Sequence, residues 1–181
     1  MKKMYSKVAI VLFVTAMTTN SVSPCPFNCS CTTYTDGVYL DCINGGLVAI
    51  PTDFQNDLFR IDMGNNTITT IEEGAFRNMT LLYGIYLYSN QITTIQNGAF
   101  KNLPVLNFLD LASNKITTLQ TGTFGYLPSL WTLYMDDNQI TTIQQGSFKE
   151  LPALNHVGLS VNILKFVRND TFAYNDNLDT L

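Results

Sequence analysis

The sequence predicts an α/β solenoid whose strands form one parallel β-sheet, with a disulfide cap over its N-terminal end. Two observations predict the solenoid. A 24-residue period recurs five times, and within each unit the apolar residues alternate as they do in a short, half-buried strand. A third observation, four cysteines close together near the N-terminus, predicts the cap.

The period is marked by one asparagine in each unit and by a phenylalanine at a fixed distance after it. These residues are Asn66, Asn90, Asn114, Asn138 and Asn162, with Phe76, Phe100, Phe124, Phe148 and Phe172. Before each asparagine the apolar pattern is fixed, as in Leu82-x-x-Ile85-x-Leu87. One unit is too small to bury its own leucines, so the units must stack. We place five 24-residue repeats over 58–177 and the start of a sixth at 178–181.

Each repeated asparagine is expected where a strand ends and the chain turns inward. There its amide can satisfy backbone groups that no strand partner reaches, and leaving one unpaired costs roughly 1–3 kcal/mol. The phenylalanines should stack as a spine on the outer wall. Glycines at one fixed place in the first four units indicate positive φ, and Asp170, which replaces the glycine in the fifth unit, is a residue type that tolerates this region.

The segment 1–22 has the order of a secretory signal peptide. A positive start with Lys2, Lys3 and Lys7 precedes an apolar run over 8–17, which is too short to span a bilayer. An N-terminal membrane anchor is the alternative. Removal of this segment leaves seven basic against fourteen acidic residues, a formal charge of −7. Such a charge disfavours nucleic acid and anionic membrane surfaces as partners.

The cysteines lie in a cap that we place over 23–57. Clustered cysteines behind a secretion signal indicate disulfides, and three pairings are open from the sequence. A zinc site is the rival, but the oxidising compartment and the single histidine, His156, far along the chain, disfavour it.

The pattern L-x-x-L-x-L-x-x-N-x-I-x-x-I resembles the leucine-rich repeat family over about residues 25–181. The resemblance implies a right-handed horseshoe with a concave parallel sheet and a convex side made mostly of loops and short turns. Cys25-Pro-x-x-Cys29-x-Cys31 with Cys42 resembles the N-terminal cap of the extracellular members. The pairing in those members implies Cys25–Cys31 and Cys29–Cys42.

The solvent-facing strand positions vary from repeat to repeat and should stack across strands about 4.8 Å apart. Seven of them are aromatic, including the only tryptophan, with acidic residues between them. Exposed aromatic residues are typical of recognition surfaces, whereas the alternative is that they only rigidify the sheet. The candidate ligand-binding residues are Phe59, Arg60, Asp62, Tyr83, Tyr86, Tyr88, Phe108, Asp110, Trp131, Tyr134, Asp136, Asp137 and His156.

Four N-x-S/T sequons occur, and secretion would make them candidate glycosylation sites. Asn78 and Asn169 should lie on the returning arc or outer wall, and Asn65 at the edge of the strand face. Asn28, between two cysteines, is the least favoured for glycosylation.

The sequence gives little support for catalysis, because no Ser/His/Asp grouping is visible and the cysteines are committed. We therefore expect no enzyme, no cofactor and no metal. The expected partner is a protein or carbohydrate ligand, including one on a bacterial surface, and not nucleic acid. A homodimer is a further hypothesis, and membrane attachment would need an anchor outside this chain.

The cap, the 24-residue units and the unpatterned concave face resemble the variable lymphocyte receptors of jawless vertebrates and similar chordate immune repeat proteins. That resemblance implies a secreted or cell-surface protein that recognises protein or carbohydrate antigens through the strand face. The alternative is an extracellular matrix or adhesion protein that self-assembles or binds growth-factor or collagen-like ligands.

Overall fold

A computed structural model of the chain describes Cys25 and residues 28–181. The signal peptide predicted over 1–22 lies outside these residues. Within the described part the chain forms eleven strands and no α-helix. The strands are β1 (Ser30–Tyr34), β2 (Gly37–Asp41), β3 (Leu58–Asp62), β4 (Thr70–Ile71), β5 (Gly84–Tyr86), β6 (Thr94–Ile95), β7 (Phe108–Asp110), β8 (Thr118–Leu119), β9 (Thr132–Tyr134), β10 (Thr142–Ile143) and β11 (His156–Gly158).

One seven-stranded sheet runs along the concave side in the order β1-β2-β3-β5-β7-β9-β11. From β2 onward every neighbour is parallel, and each repeat contributes one strand in register with the next. The predicted horseshoe with its parallel concave sheet is confirmed, but the described arcs contain no helix, so the chain forms a β-solenoid and not the expected α/β one. The returning arcs are short turns with two small strand pairs, β4 with β6 and β8 with β10, so the convex side is mostly loop.

The phenylalanine spine is confirmed. Successive rings from Phe76 to Phe172 stack with centroids 4.9 to 6.5 Å apart, and the four from Phe76 to Phe148 are almost completely buried. Phe54 extends the spine into the cap, 6.5 Å from Phe76. The sequence did not indicate this residue, because it lies outside the 24-residue register.

Each repeated asparagine joins two coils. The Asn114 side-chain amide donates to the backbone oxygens of Leu87, Leu111 and Ala112 at 2.9 to 3.1 Å. Its carbonyl oxygen accepts the N–H of Ile92 at 3.0 Å. Leu87 and Ile92 belong to the preceding repeat, so one buried side chain sets the spacing between two coils. Asn66, Asn90, Asn138 and Asn162 repeat this pattern.

The four predicted turn glycines all have positive φ, between 65° and 80°. Asp170 is not among the described residues with positive φ, so the fifth coil turns differently at this point. Its carboxylate instead accepts hydrogen bonds from Arg168, at 3.1 Å, and Gln145, at 2.8 Å. The substitution of aspartate for glycine is therefore accommodated by new side-chain contacts and not by a left-handed backbone.

The cap is an antiparallel hairpin, β1 with β2, that closes the first coil. The Cys25–Cys31 and Cys29–Cys42 disulfides are those implied by the family resemblance. Cys42, Leu40 and Leu47 are buried and continue the core of the repeats. In the described part of the chain, no helix is long and apolar enough to cross a membrane.

We predict that Asn114→Leu lowers the free energy of unfolding by about 3 kcal/mol or more. The substitution leaves the N–H of Ile92 unpaired, and a buried unpaired group costs about 1–3 kcal/mol. It also removes one of the two donors from each of the carbonyls of Leu87, Leu111 and Ala112, and each lost hydrogen bond costs about 1 kcal/mol. Urea unfolding followed by circular dichroism measures the change. Asn162→Leu is the matched control: Asn162 makes the same contacts but is only partly buried, so water can replace it and the loss should be smaller. Equal stability of Asn114→Leu and the wild-type chain would contradict the role given to the asparagines.

Candidate functional site

Strand pairing places the predicted site residues in straight columns across the concave sheet. Asp62 pairs with Tyr86, Tyr86 with Asp110, and Asp110 with Tyr134. The neighbouring column contains Arg60, Gly84, Phe108, Thr132 and His156. Side chains from five repeats therefore share one surface, because a constant repeat length keeps the register constant.

Four rings from the two columns form a continuous row, which we call the aromatic ladder: Tyr86, Phe108, Tyr134 and His156. Tyr86 and Phe108 are stacked with centroids 4.9 Å apart. Phe108 meets Tyr134 edge-on at 5.4 Å, and Tyr134 meets His156 edge-on at 5.2 Å. All four are partly exposed, so the ladder both supports itself and offers apolar surface to a ligand.

A second row of rings lies beside the ladder, on the side where the strands begin. Phe59 stacks with Tyr83 at 5.0 Å and with Tyr39 of the cap at 5.8 Å. Trp131, farther along this row, has no stacking partner among the described aromatic pairs, and 47% of it is exposed. Tyr83 is 42% exposed and donates its hydroxyl to Asn107 at 3.0 Å. Tyr39 and Asn107 extend the site beyond the predicted residues.

Three carboxylates on the face have a structural function that the sequence did not indicate. Asp41, Asp62 and Asp110 each accept, through one oxygen, the backbone N–H two positions further on, at 3.0 to 3.1 Å. These bonds hold the turn at the end of each strand. The second oxygen of each carboxylate takes no part in these turn hydrogen bonds.

The structure corrects the expectation that Asp62 faces solvent, because only 6% of the residue is exposed. The second oxygen of Asp62 accepts a hydrogen bond from the Arg60 guanidinium at 3.1 Å. The same guanidinium lies 3.9 Å from the centre of the Tyr86 ring. Arg60 therefore covers Asp62, and a ligand at this point would meet the arginine and not the carboxylate.

Asp110 lies between Tyr86 and Tyr134 and is partly buried. Burial raises the pKa of Asp110 above its ordinary value, the N–H of Ala112 lowers it, and the Asp62 and Asp136 carboxylates raise it further. Burial also raises the pKa values of the Tyr86 and Tyr88 hydroxyls, with Arg60 acting in the opposite direction. Desolvation thus dominates the electrostatics at the centre of the face.

Two glycines shape the ends of the site, and no feature of the sequence indicated this function. A side chain at Gly64 would collide with the ring of Tyr88, which lies across it. A side chain at Gly158 would collide with the carboxylate of Asp136 and, at 2.9 Å, with the Tyr134 ring. Large side chains lie flat on the sheet where these glycines leave room.

Asp136 and Asp137 do not form a carboxylate pair. Asp136 accepts the N–H of Ser160 at 2.9 Å, whereas Asp137 is exposed in a turn with a φ of 52°. Across the described residues, no group of three or more His, Cys, Asp or Glu side chains is placed to hold a metal ion. What the face offers chemically is aromatic surface, hydrogen-bond acceptors and negative charge.

The sequons lie on the surface. Asn65, Asn78 and Asn169 are exposed, and Asn65 follows β3, where its N–H donates to the backbone oxygen of Tyr88 at 3.1 Å. A glycan on Asn65 would therefore stand beside the Tyr88 end of the face. Asn28 is also exposed, in the turn before β1. Glycosylation at the three favoured asparagines stays a prediction.

Comparison with known proteins supports the same architecture. Residues 80–140 match the family model described as leucine rich repeat. Decorin of Rattus norvegicus is 37% identical over 62 residues, which cover 34% of this chain and 16% of decorin. Asporin of Bos taurus is 37% identical over 65 residues, covering 36% of this chain and 16% of asporin.

Among solved structures, the crystal structure of a TLR13–ssRNA13 complex is similar, with a TM-score of 0.65 and 31% sequence identity. The match covers 75% of this chain and 20% of that chain. The chain therefore spans a fifth or less of the length of the proteins it resembles. The repeat match and the structural match agree with the leucine-rich repeat solenoid fold, to whose N-terminal end this structure adds a cap with two disulfides.

Proposed function

We propose that the protein is a secreted or cell-surface recognition protein that binds protein or microbial-surface ligands through the concave face, in innate or antigen-receptor-like immunity. The observation that carries the proposal is the aromatic ladder, flanked by exposed Trp131 and Tyr83 on the same face. Tryptophan and tyrosine are enriched among the residues that dominate binding energy at interfaces.

Packing of one ring on another accounts for most of the aromatic residues on the concave face, but it does not account for Trp131. Phe59, Tyr83, Tyr86, Phe108 and Tyr134 each contact another ring, so they also stiffen the sheet. Trp131 lacks such a contact among the described pairs and leaves nearly half of its surface in water. A threonine would suit an exposed strand position without exposing apolar surface, so binding gives the better account of the tryptophan.

The proposal assigns no catalytic activity and no cofactor. His156 packs edge-on against Tyr134, and one oxygen of each of Asp62 and Asp110 is occupied by a backbone N–H group. Placement outside the cell is supported by the two disulfides, because disulfides persist in oxidising environments such as the extracellular space.

The similarity of this chain to decorin and asporin supports a second candidate, an extracellular matrix or adhesion function. Both functions would use the concave face, so the fold does not separate them. A binding screen does: whole bacteria and cell-wall polymers form one arm, and matrix proteins the other. Single-stranded RNA forms a third arm because TLR13 was crystallised with it, although the acidic concave face disfavours a polyanion.

We predict that Trp131→Ala combined with Tyr86→Ala weakens binding to a ligand from this screen by about 2 kcal/mol or more, roughly thirtyfold in Kd, as for central aromatic anchors. Surface plasmon resonance measures Kd, and the amount of secreted protein should stay normal. The matched control removes two exposed aromatic residues away from the strand face, Tyr126→Ala with Tyr174→Ala, which are 64% and 54% exposed. Binding that is lost in the control and kept in the concave-face variant would place the site on the other side of the solenoid.

A further inference from the structure

The concave face contains the same pair of residues twice, in repeats that are separated by one other repeat. Asp62 pairs across the sheet with Tyr86, and Asp110 pairs in the same way with Tyr134. In both cases one carboxylate oxygen accepts the N–H two positions on, from Gly64 or from Ala112. The second pair lies two 24-residue periods after the first, so the two pairs occupy equivalent positions in their repeats.

The first pair holds a cation from the chain itself. The Arg60 guanidinium donates to the free oxygen of Asp62 at 3.1 Å and lies 3.9 Å from the centre of the Tyr86 ring. A carboxylate and an aromatic ring on adjacent strands therefore form a cation site on this surface, through ion pairing and cation–π attraction.

The second pair has no internal cation. The residue equivalent to Arg60 is Phe108, whose ring meets Tyr134 edge-on at 5.4 Å. Among the described hydrogen bonds, the Asp110 carboxylate accepts only the one from the Ala112 N–H, so no described donor reaches its second oxygen. Thr132, the strand partner of Phe108, is uncharged, as is Gly84, the strand partner of Arg60. Thr132 therefore supplies no cation to Asp110 and Tyr134.

The charge of the whole face favours a cation from outside. Four of the carboxylates on the face, those of Asp62, Asp110, Asp136 and Asp137, are opposed by Arg60 alone. The other basic residues of the described chain lie outside the strands of the face, at Arg77, Lys101, Lys115, Lys149, Lys165 and Arg168. Asp110 is also partly buried, and a bound cation would offset the desolvation of its charge.

We propose that Asp110 and Tyr134, with Phe108 as a third wall, bind a cationic side chain of a protein ligand. The inference rests on the proposed function and names the chemistry that the concave face selects, an exposed basic residue on the partner. Arginine fits better than lysine, because its planar guanidinium can stack on Tyr134 while it donates to Asp110, as Arg60 does in the first pair.

A titration of the full secreted chain with Nα-acetyl-arginine methylamide, followed by NMR, tests the proposal. The resonances of Asp110, Tyr134 and Phe108 should shift, and the uncharged citrulline analogue, which has nearly the same shape, should leave them unchanged. Asp110→Asn keeps an oxygen for the Ala112 N–H but removes the charge, so affinity for the probe should fall by about tenfold or more. Asp176→Asn, which removes an exposed carboxylate outside the strands of the face, is the matched control and should leave the affinity for the probe unchanged.

Two results would overturn the proposal: equal shifts with the citrulline analogue, or unchanged affinity of Asp110→Asn. Neither would bear on the proposed function, which depends on the aromatic residues and is tested with Trp131 and Tyr86. Conversely, the concave face could bind the arginine probe while no ligand in the screen binds. That result would support the cation site and count against the proposed recognition function.

A second test uses two substitutions, one that adds an internal guanidinium to the second pair and one that removes it from the first. Phe108→Arg supplies an internal guanidinium to Asp110 and Tyr134 and should abolish binding of the probe. Arg60→Ala vacates Asp62 and Tyr86 and should create a second site, seen as new shifts at these residues with an affinity within about tenfold of the first. Probe binding that persists in Phe108→Arg, or no second site in a folded Arg60→Ala chain, would show that the pair is not what holds the cation.

Discussion

The structure depends on the hydrogen bonds of one buried asparagine per repeat. Each side chain satisfies carbonyls in its own turn and in the preceding coil, and it accepts an N–H from that coil. Most of these groups lie inside the solenoid, where a polar group without a hydrogen bond is costly, so the asparagine allows the turn to be buried. Coils linked in this way must keep one length, and the isoleucines and phenylalanines of the arc are repeated for the same reason.

The constant coil length separates the scaffold from the variable surface. Residues on the arc contact the coils on both sides, so a change there must fit two neighbours at once. Residues on the concave face of the strands also touch both neighbouring coils, as Phe108 contacts Tyr86 and Tyr134, but they are open to solvent on the remaining side. The strand face can therefore vary from repeat to repeat while its register stays fixed, and this is why rings and carboxylates from distant parts of the chain form one surface.

The period of the sequence was enough to predict the sheet, the spine, the asparagine contacts and the columns of the face, because each depends on spacing alone. The sequence was a poorer guide where side-chain conformation decides. Asp62 is buried because Arg60 folds over it, and Tyr88 lies flat because Gly64 leaves room. Phe54 and the cap hairpin lie outside the repeat, so no periodicity could place them.

The most direct test of this account measures contacts between the rings of adjacent repeats in solution. In a chain with selectively labelled tyrosine and phenylalanine, ring protons of Phe108 should give strong NOE cross-peaks to both Tyr86 and Tyr134, whose centroids lie 4.9 and 5.4 Å away. Those residues belong to the repeats on either side, so only a fixed register brings all three together. Absence of either set of cross-peaks in the folded chain would contradict the claim that constant coil length builds the concave face.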